Sequence, residues 1–178
     1  MIPAKAEQHM RKYLKHLLIL SLSFSLSGCG IYSFTGASIP ADVKTYQVNY
    51  FDNTALLVEP GLNIDFRVAL QDLIQNQTNL SLVTSNGDLV YEGEITDYRI
   101  SPTTATSDNR AAQNRLTIAV KLRFYNKKNP DDDLEQSFSF FYDFPGQAQL
   151  IGAQKETAHE EIFQRLTQDI FNATLAKW

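Results

Sequence analysis

The sequence predicts an α+β fold, a single domain in which a mixed four- to five-stranded sheet carries two amphipathic helices packed on one face. Three observations lead to this prediction. The middle of the chain contains runs in which apolar and polar residues alternate, as in strands with one buried face. One segment before these runs and one after them repeat apolar residues at helical spacing. The length of 178 residues suits one domain.

The first part of the domain is predicted to contain a strand, a helix and a second, short strand. Alternation over residues 43–51 indicates the first strand. Pro60 is typical of a helix start, and apolar residues follow at steps of three and four to about residue 77. The short strand covers 80–83, and the polar turn sequence at 85–88 follows it.

Three longer strands and a second helix complete the domain. The strand that begins at Leu89 changes the face on which its apolar residues lie, which predicts a bulge near Thr96 and Asp97. Pro102 ends this strand, and a polar loop follows. The remaining elements are strands over 115–125 and 134–144 and a helix over about 155–176.

The N-terminus has the pattern of a bacterial lipoprotein signal peptide. A basic segment over residues 10–16 precedes an apolar run over 17–25, which is too short for a bilayer span of about 20 residues. The tetrad Leu26-Ser27-Gly28-Cys29 then follows the lipobox pattern, in which small residues precede a cysteine whose thiol accepts diacylglycerol.

This pattern divides the chain into three segments: a signal peptide over 1–28, a lipidated tether over 29–42 and a folded domain over 43–178. We expect Cys29 to carry diacylglycerol and an N-acyl chain such as palmitate, because stable membrane attachment needs more than one chain. Gly30 follows the cysteine with no acidic residue nearby, which favours the outer membrane, facing the periplasm.

Composition argues against several classes of function. A single cysteine excludes a disulfide framework and a cysteine-based metal centre. The formal net charge of −4 argues against a nucleic-acid partner, since such binding depends on neutralising phosphates. These features leave a globular envelope protein.

No set of residues in the sequence forms a recognisable catalytic site. The chain after Cys29 keeps one histidine, His159, which we expect at a solvated position of the second helix beside Glu160 and Glu161. The three aspartates at 131–133 lack the spacing of a calcium loop and indicate a solvated turn. We therefore expect a protein that is not an enzyme, with no metal and no cofactor apart from the lipid.

The strand over 115–125 places Arg115, Lys121 and Arg123 on the face opposite its apolar residues. One interpretation is ordinary cross-strand pairing with acidic side chains. The other is a contact surface for an anionic partner, such as lipid phosphates or the acidic wall of a barrel protein. Phe141 falls on the same outward face, where it is either an interface anchor or covered by another part of the chain. The acidic candidates for pairing are Glu92, Glu94 and Glu135.

Segments spread over the whole mature chain carry a family resemblance. They are 29–36, 80–83, 87–89, 93–98, 114–118, 126–128, 135–139 and 169–172. These segments resemble the LptE family of lipopolysaccharide-assembly lipoproteins in its Bacteroidota form. The resemblance implies a mixed sheet with two helices over 43–178, and of the family's functional residues only Cys29 carries over.

The resemblance also implies a function and partners. The protein would be an outer-membrane lipoprotein component of the lipopolysaccharide translocon that plugs and supports an LptD-type β-barrel. Its partners would be that barrel, lipopolysaccharide and the membrane that holds its lipid anchor. The residues leave one alternative open, a periplasm-facing lipoprotein that scaffolds another envelope complex or binds another ligand.

Overall fold

A five-stranded sheet and two helices form the domain in a computed structural model, which describes residues 39–103, 113–145 and 149–176. The predicted α+β class and the order strand, helix, four strands, helix are confirmed. Residues 1–38, which include the predicted signal peptide and Cys29, lie outside the described residues. The elements are β1 (Thr45–Asn53), α1 (Leu62–Gln77), β2 (Ser81–Leu82), β3 (Leu89–Pro102), β4 (Gln113–Asn126), β5 (Leu134–Pro145) and α2 (Gly152–Thr174).

The sheet is mixed, with the strand order β2-β1-β3-β4-β5. β1 pairs in parallel with both β2 and β3, whereas β3, β4 and β5 form an antiparallel meander. This arrangement gives the sheet two distinct ends. The tether end contains the first residues of β1, β3 and β5, and the distal end contains their last residues together with the starts of both helices.

β3 contains the predicted bulge. Its register with β4 shifts between Ile95 and Asp97, so that Thr96 is the extra residue. The shift lets Ile95 and Tyr98 both point into the core, although they are an odd number of residues apart. A bulge thus reconciles the change of phase in the sequence with a single buried face.

Both helices cover the same face of the sheet and close one hydrophobic core. The ring of Phe66 in α1 connects the two layers. It meets the Phe51 ring of β1 edge-on at 5.1 Å and the Phe163 ring of α2 at 5.6 Å, in the T-shaped geometry that aromatic pairs favour. The opposite face of the sheet carries no helix within the described residues, and we call it the open face.

The helix boundaries differ slightly from the predicted ones. α1 begins at Leu62 and not at Pro60, because Gly61 between them has a φ of 83° and so lies outside the helical region. α2 begins at Gly152, a few residues before the predicted start. The polar residues of its first turn carry no helical apolar pattern, so periodicity alone does not mark this start.

Candidate functional site

The open face brings the predicted contact residues onto one surface. Arg115, Lys121 and Arg123 alternate along β4 with buried apolar residues, and Phe141 lies on β5 opposite Thr117. At about 3.4 Å per residue, Arg115 and Arg123 are roughly 27 Å apart. The four residues therefore form two groups, Lys121 with Arg123 near the tether end and Arg115 with Phe141 near the distal end.

The group near the tether end is a network of cross-strand ion pairs. Lys121 Nζ lies 2.6 Å from Glu135 Oε1. This hydrogen bond raises the pKa of the Lys121 ammonium and lowers the pKa of the Glu135 carboxyl. Arg123 Nε lies 3.5 Å from Glu92 Oε1, and Arg123 Nη1 lies 3.8 Å from Glu94 Oε1. The acidic side chains of β3 and β5 thus flank the basic side chains of β4 on both sides.

The group near the distal end combines an ion pair with an aromatic ring. Arg115 holds Asp143 with two hydrogen bonds, Nε to Oδ1 at 2.7 Å and Nη2 to Oδ2 at 2.8 Å. The bonds raise the pKa of the Arg115 guanidinium and lower the pKa of the Asp143 carboxyl. The guanidinium carbon also lies 3.5 Å from the centroid of the Phe141 ring, a cation–π contact. Arg115 therefore covers one side of Phe141, which remains 42% exposed.

These contacts define what the open face can do chemically. The cross-strand pairing that the sequence allowed is present for all three basic residues, and Asp143, which was not among the candidates, is the partner of Arg115. A phosphate that approaches Lys121 or Arg115 must compete with a carboxylate that already holds it. The face presents both charges side by side, which suits a polar protein wall better than an isolated anion. Contact of these residues with a partner stays a prediction.

His159 does not occupy the solvated position that the sequence predicted. Its Nε2 atom lies 3.1 Å from the Tyr98 hydroxyl, and its ring packs against the rings of Tyr98 and Phe163. Burial lowers the pKa of His159, and burial raises the pKa of Tyr98 to about 12. Helical spacing in fact places His159 on the buried side of α2, because it stands three residues before Ile162 and four before Phe163. The prediction followed the polar neighbours Glu160 and Glu161 and was wrong, whereas the contact with Tyr98 requires the fold of β3.

A groove of about 680 Å³ between α1 and α2 passes His159. Carboxylates of both helices line it, among them Asp65 and Asp72 of α1 and Glu156 and Glu160 of α2. In the part of the chain that the structure describes, no three His, Cys, Asp or Glu side chains are placed to hold a metal ion. Nor does any described helix combine the length and apolar character needed to cross a membrane.

Asp88 has a structural role, although the sequence predicts only a turn at this position. Its carboxylate accepts hydrogen bonds from the backbone N–H of Lys44 and of Thr45, each at 3.0 Å, and from the Thr45 hydroxyl at 2.9 Å. Lys128 Nζ lies 3.1 Å away. The Lys44 N–H bond, with the other donors, holds the pKa of Asp88 well below its usual range. Asp88 thus fixes the start of β1, where the chain enters from the tether.

The extent of this fold coincides with a known family. The family model LptE, described as lipopolysaccharide assembly, matches residues 43–174, from the segment before β1 to the last residue of α2. The chain belongs to the LptE family. The predicted family assignment is therefore confirmed, and the match includes the open face, the bulge in β3 and both helices of this LptE-family chain.

Solved structures with a similar arrangement share little sequence with this LptE-family chain. The hypothetical protein CT253 from Chlamydia trachomatis is 10% identical, with a TM-score of 0.51, over 75% of this chain and 99% of that one. The rare lipoprotein B from Shewanella oneidensis is 9% identical, with a TM-score of 0.45, over 71% and 89%. An uncharacterized lipoprotein B from Nitrosomonas europaea is 15% identical, with a TM-score of 0.42, over 74% and 85%. The first similarity concerns the fold alone, and no curated protein sequence matches the chain.

Proposed function

We propose that this LptE-family protein is an outer-membrane lipoprotein that plugs and supports an LptD-type β-barrel while lipopolysaccharide is delivered to the cell surface. The observation that carries the proposal is the family match over residues 43–174, which spans every strand and helix of the described domain. In this proposal the lipid on Cys29 holds the protein at the inner leaflet of the outer membrane. The domain then faces the periplasm and the barrel lumen.

The proposed mechanism is interfacial. Two helices bury one face of the sheet, so that the domain is a rigid body, while the open face presents charged pairs to its surroundings. The interior of a large outer-membrane barrel is polar. A surface of mixed charge, with Arg115, Lys121 and Arg123 each beside a carboxylate, is suited to such a wall, and these residues with Phe141 are the proposed contacts to the barrel or to lipopolysaccharide.

A pull-down from native membranes tests the proposal. The full-length lipoprotein with a C-terminal tag is purified from detergent-solubilised membranes, next to an unrelated lipoprotein that has the same tag. We expect an LptD-type barrel, identified by its peptides, with the first protein and not with the second. Recovery of the tagged protein without this barrel would contradict the proposal and favour a scaffold of another envelope complex.

Lipidation is tested separately at Cys29. Cys29→Ala should abolish labelling by a palmitate analogue, because no other side chain offers a thiol. The domain should keep its normal circular dichroism, since residue 29 precedes the fold. Ser27→Ala is the matched control, which leaves a small residue before the cysteine and should keep the label. Continued labelling of Cys29→Ala would overturn the lipobox assignment.

A further inference from the structure

Five aliphatic side chains are exposed on one short segment at the distal end of the sheet. Leu56 is fully exposed, and the exposed fractions of the other four lie between 43% and 60%. Three of them stand in the loop between β1 and α1, and two stand on the first half of α1. The members, which together we call the apolar tip, are Leu56, Leu57, Val58, Ile64 and Val68.

The core of the domain does not account for the apolar tip. Phe66 and Leu70 form the buried face of α1. Ile64 and Val68 are each two residues from Phe66, which on an α-helix is a rotation of about 200° to the opposite side. Being four residues apart, they lie one above the other on the outward face. Single exposed aliphatic residues are common on soluble proteins, but several on one short segment indicate an interaction site.

The charges around the apolar tip indicate what kind of surface it meets. Asp52, Asp65 and Asp72 flank it and are exposed, whereas Glu59 is held by Lys155 at 2.7 Å. The one basic residue between positions 52 and 72 is Arg67, which is half-buried. Membrane-binding segments instead combine apolar residues with lysine and arginine, which attract anionic headgroups. The flanking carboxylates therefore disfavour lipid phosphates, and they also disfavour a second copy, which would bring the same carboxylates together.

The position of the apolar tip relative to the tether points the same way. β1 has nine residues and is about 30 Å long, with the tether entering at its start and the apolar tip following its end. If the tether holds the start of β1 against a bilayer, the apolar tip lies at the far end of the domain from that bilayer. This position and the flanking charge together favour a protein surface over a membrane surface.

We propose that the apolar tip docks on the wall of the barrel partner, at an apolar patch bordered by lysine and arginine side chains. The inference rests on the proposed function, because it takes the partner to be the LptD-type barrel. Leu56, Leu57 and Val58 are the anchors, with Ile64 and Val68 extending the contact along α1. Asp65 and Asp72 pair with the basic border and set the orientation of the domain in the lumen.

Site-specific crosslinking and substitution test this docking in the full-length lipoprotein. A photo-crosslinking amino acid at position 57 should form an adduct with the barrel, identified by peptides of both proteins. Leu56→Asp/Leu57→Asp should lower the amount of co-purified barrel by about tenfold, as expected for the loss of anchor residues. Leu82→Asp is the matched control, an exposed leucine at the tether end. All variants should keep the wild-type melting curve.

The outcomes separate this inference from the proposed function. If the wild-type protein retains no barrel, the proposed function fails and the docking fails with it. If the barrel is retained but position 57 crosslinks only to lipopolysaccharide, phospholipid or a second copy, the docking alone is wrong. Equal barrel recovery with the Leu56→Asp/Leu57→Asp and Leu82→Asp variants also overturns it. If the double variant unfolds, the crosslink at position 57 decides.

Discussion

A hydrogen bond between Tyr91 and Thr174 joins β3 to the end of α2 inside the core, and its removal should have an asymmetric cost. Both side chains are buried, at 0% and 6% exposure. Thr174 Oγ1 donates to the Ile170 carbonyl oxygen at 2.8 Å and so accepts from the Tyr91 hydroxyl at 3.2 Å. Burial raises the pKa of Tyr91, which keeps the hydroxyl protonated as a donor.

The two single substitutions remove different halves of this bond. Thr174→Val leaves the Tyr91 hydroxyl buried without an acceptor, which should lower the free energy of unfolding by about 2 kcal/mol. Tyr91→Phe leaves Thr174 bonded to Ile170 and should cost about 1 kcal/mol. In the double variant no hydroxyl is stranded, so its cost should be close to that of Tyr91→Phe alone and well below the sum.

Urea unfolding of residues 29–178 with the Cys29→Ala substitution, followed by circular dichroism, measures these costs. Thr167→Val is the matched control: Thr167 is also buried in α2 and its hydroxyl donates to the Phe163 carbonyl, but no side chain among the described residues donates to it. It should cost less than about 1 kcal/mol, since no buried donor loses its acceptor. Equal costs for the two threonine substitutions, or additive costs in the double variant, would refute the reasoning.

Three further predictions concern the open face, the half-buried His159 and a close contact between two strands. The Lys121→Gln/Arg123→Gln variant should fold and be lipidated, but it should lose binding to lipopolysaccharide or to the barrel in a pull-down. If both interactions survive, the open face is an ordinary solvent-exposed surface. Because burial lowers the pKa of His159, the unfolded chain takes up this proton at a higher pH than the folded protein does. The contribution of His159 to the free energy of unfolding is therefore fully present above about pH 6.5 and is lost as the pH falls through the pKa of the folded state. His159→Gln should lose less stability than the wild type between about pH 7.5 and about pH 5.5 in urea unfolding, and equal losses would contradict this. Gly93→Ala should cost about 3 kcal/mol or more in the same assay, because its Cβ would overlap the Lys121 carbonyl oxygen. Gly152→Ala, where a Cβ meets open space and only the φ of 53° is strained, should cost about 1–2 kcal/mol, and equal costs would argue against the overlap.

The meander and the helices were predictable because each has one buried face. The alternation of apolar and polar residues along β4 and β5 predicts which side chains are buried in the core. The phase change in β3 even locates the bulge, since Ile95 and Tyr98 can share a buried face only with one extra residue between them. Helix starts were less accurate, because the first turns depend on local residues such as Gly61 and not on apolar periodicity.

The sequence could not predict which strands are neighbours in the sheet or which side chains pair. Alternation indicates which face of β1 is buried, but not that β1 lies between β2 and β3. Their spacing in the sequence predicted that Arg115, Lys121 and Arg123 lie on one face of β4. The hydrogen bonds from Arg115 to Asp143 could not be predicted, because they depend on the register of β4 against β5. The sequence did not predict the apolar tip, because residues 56–58 fit neither the helical nor the strand repeat of apolar residues. An aliphatic run that belongs to no predicted helix or strand was the feature that could have indicated it.

The placement of β1 between two parallel strands has a mechanical consequence. The chain enters the sheet at the start of β1, where Thr45 faces Ser81, Tyr46 faces Leu89, and Asp88 holds the backbone. If the domain is held at its distal end, tension on the tether pulls along the strand. The hydrogen bonds on both sides of β1 then bear the load together in shear and do not open one after another as in peeling. If Cys29 is anchored as proposed, β1 is the strand through which force passes between the membrane and a partner bound at the distal end of the domain.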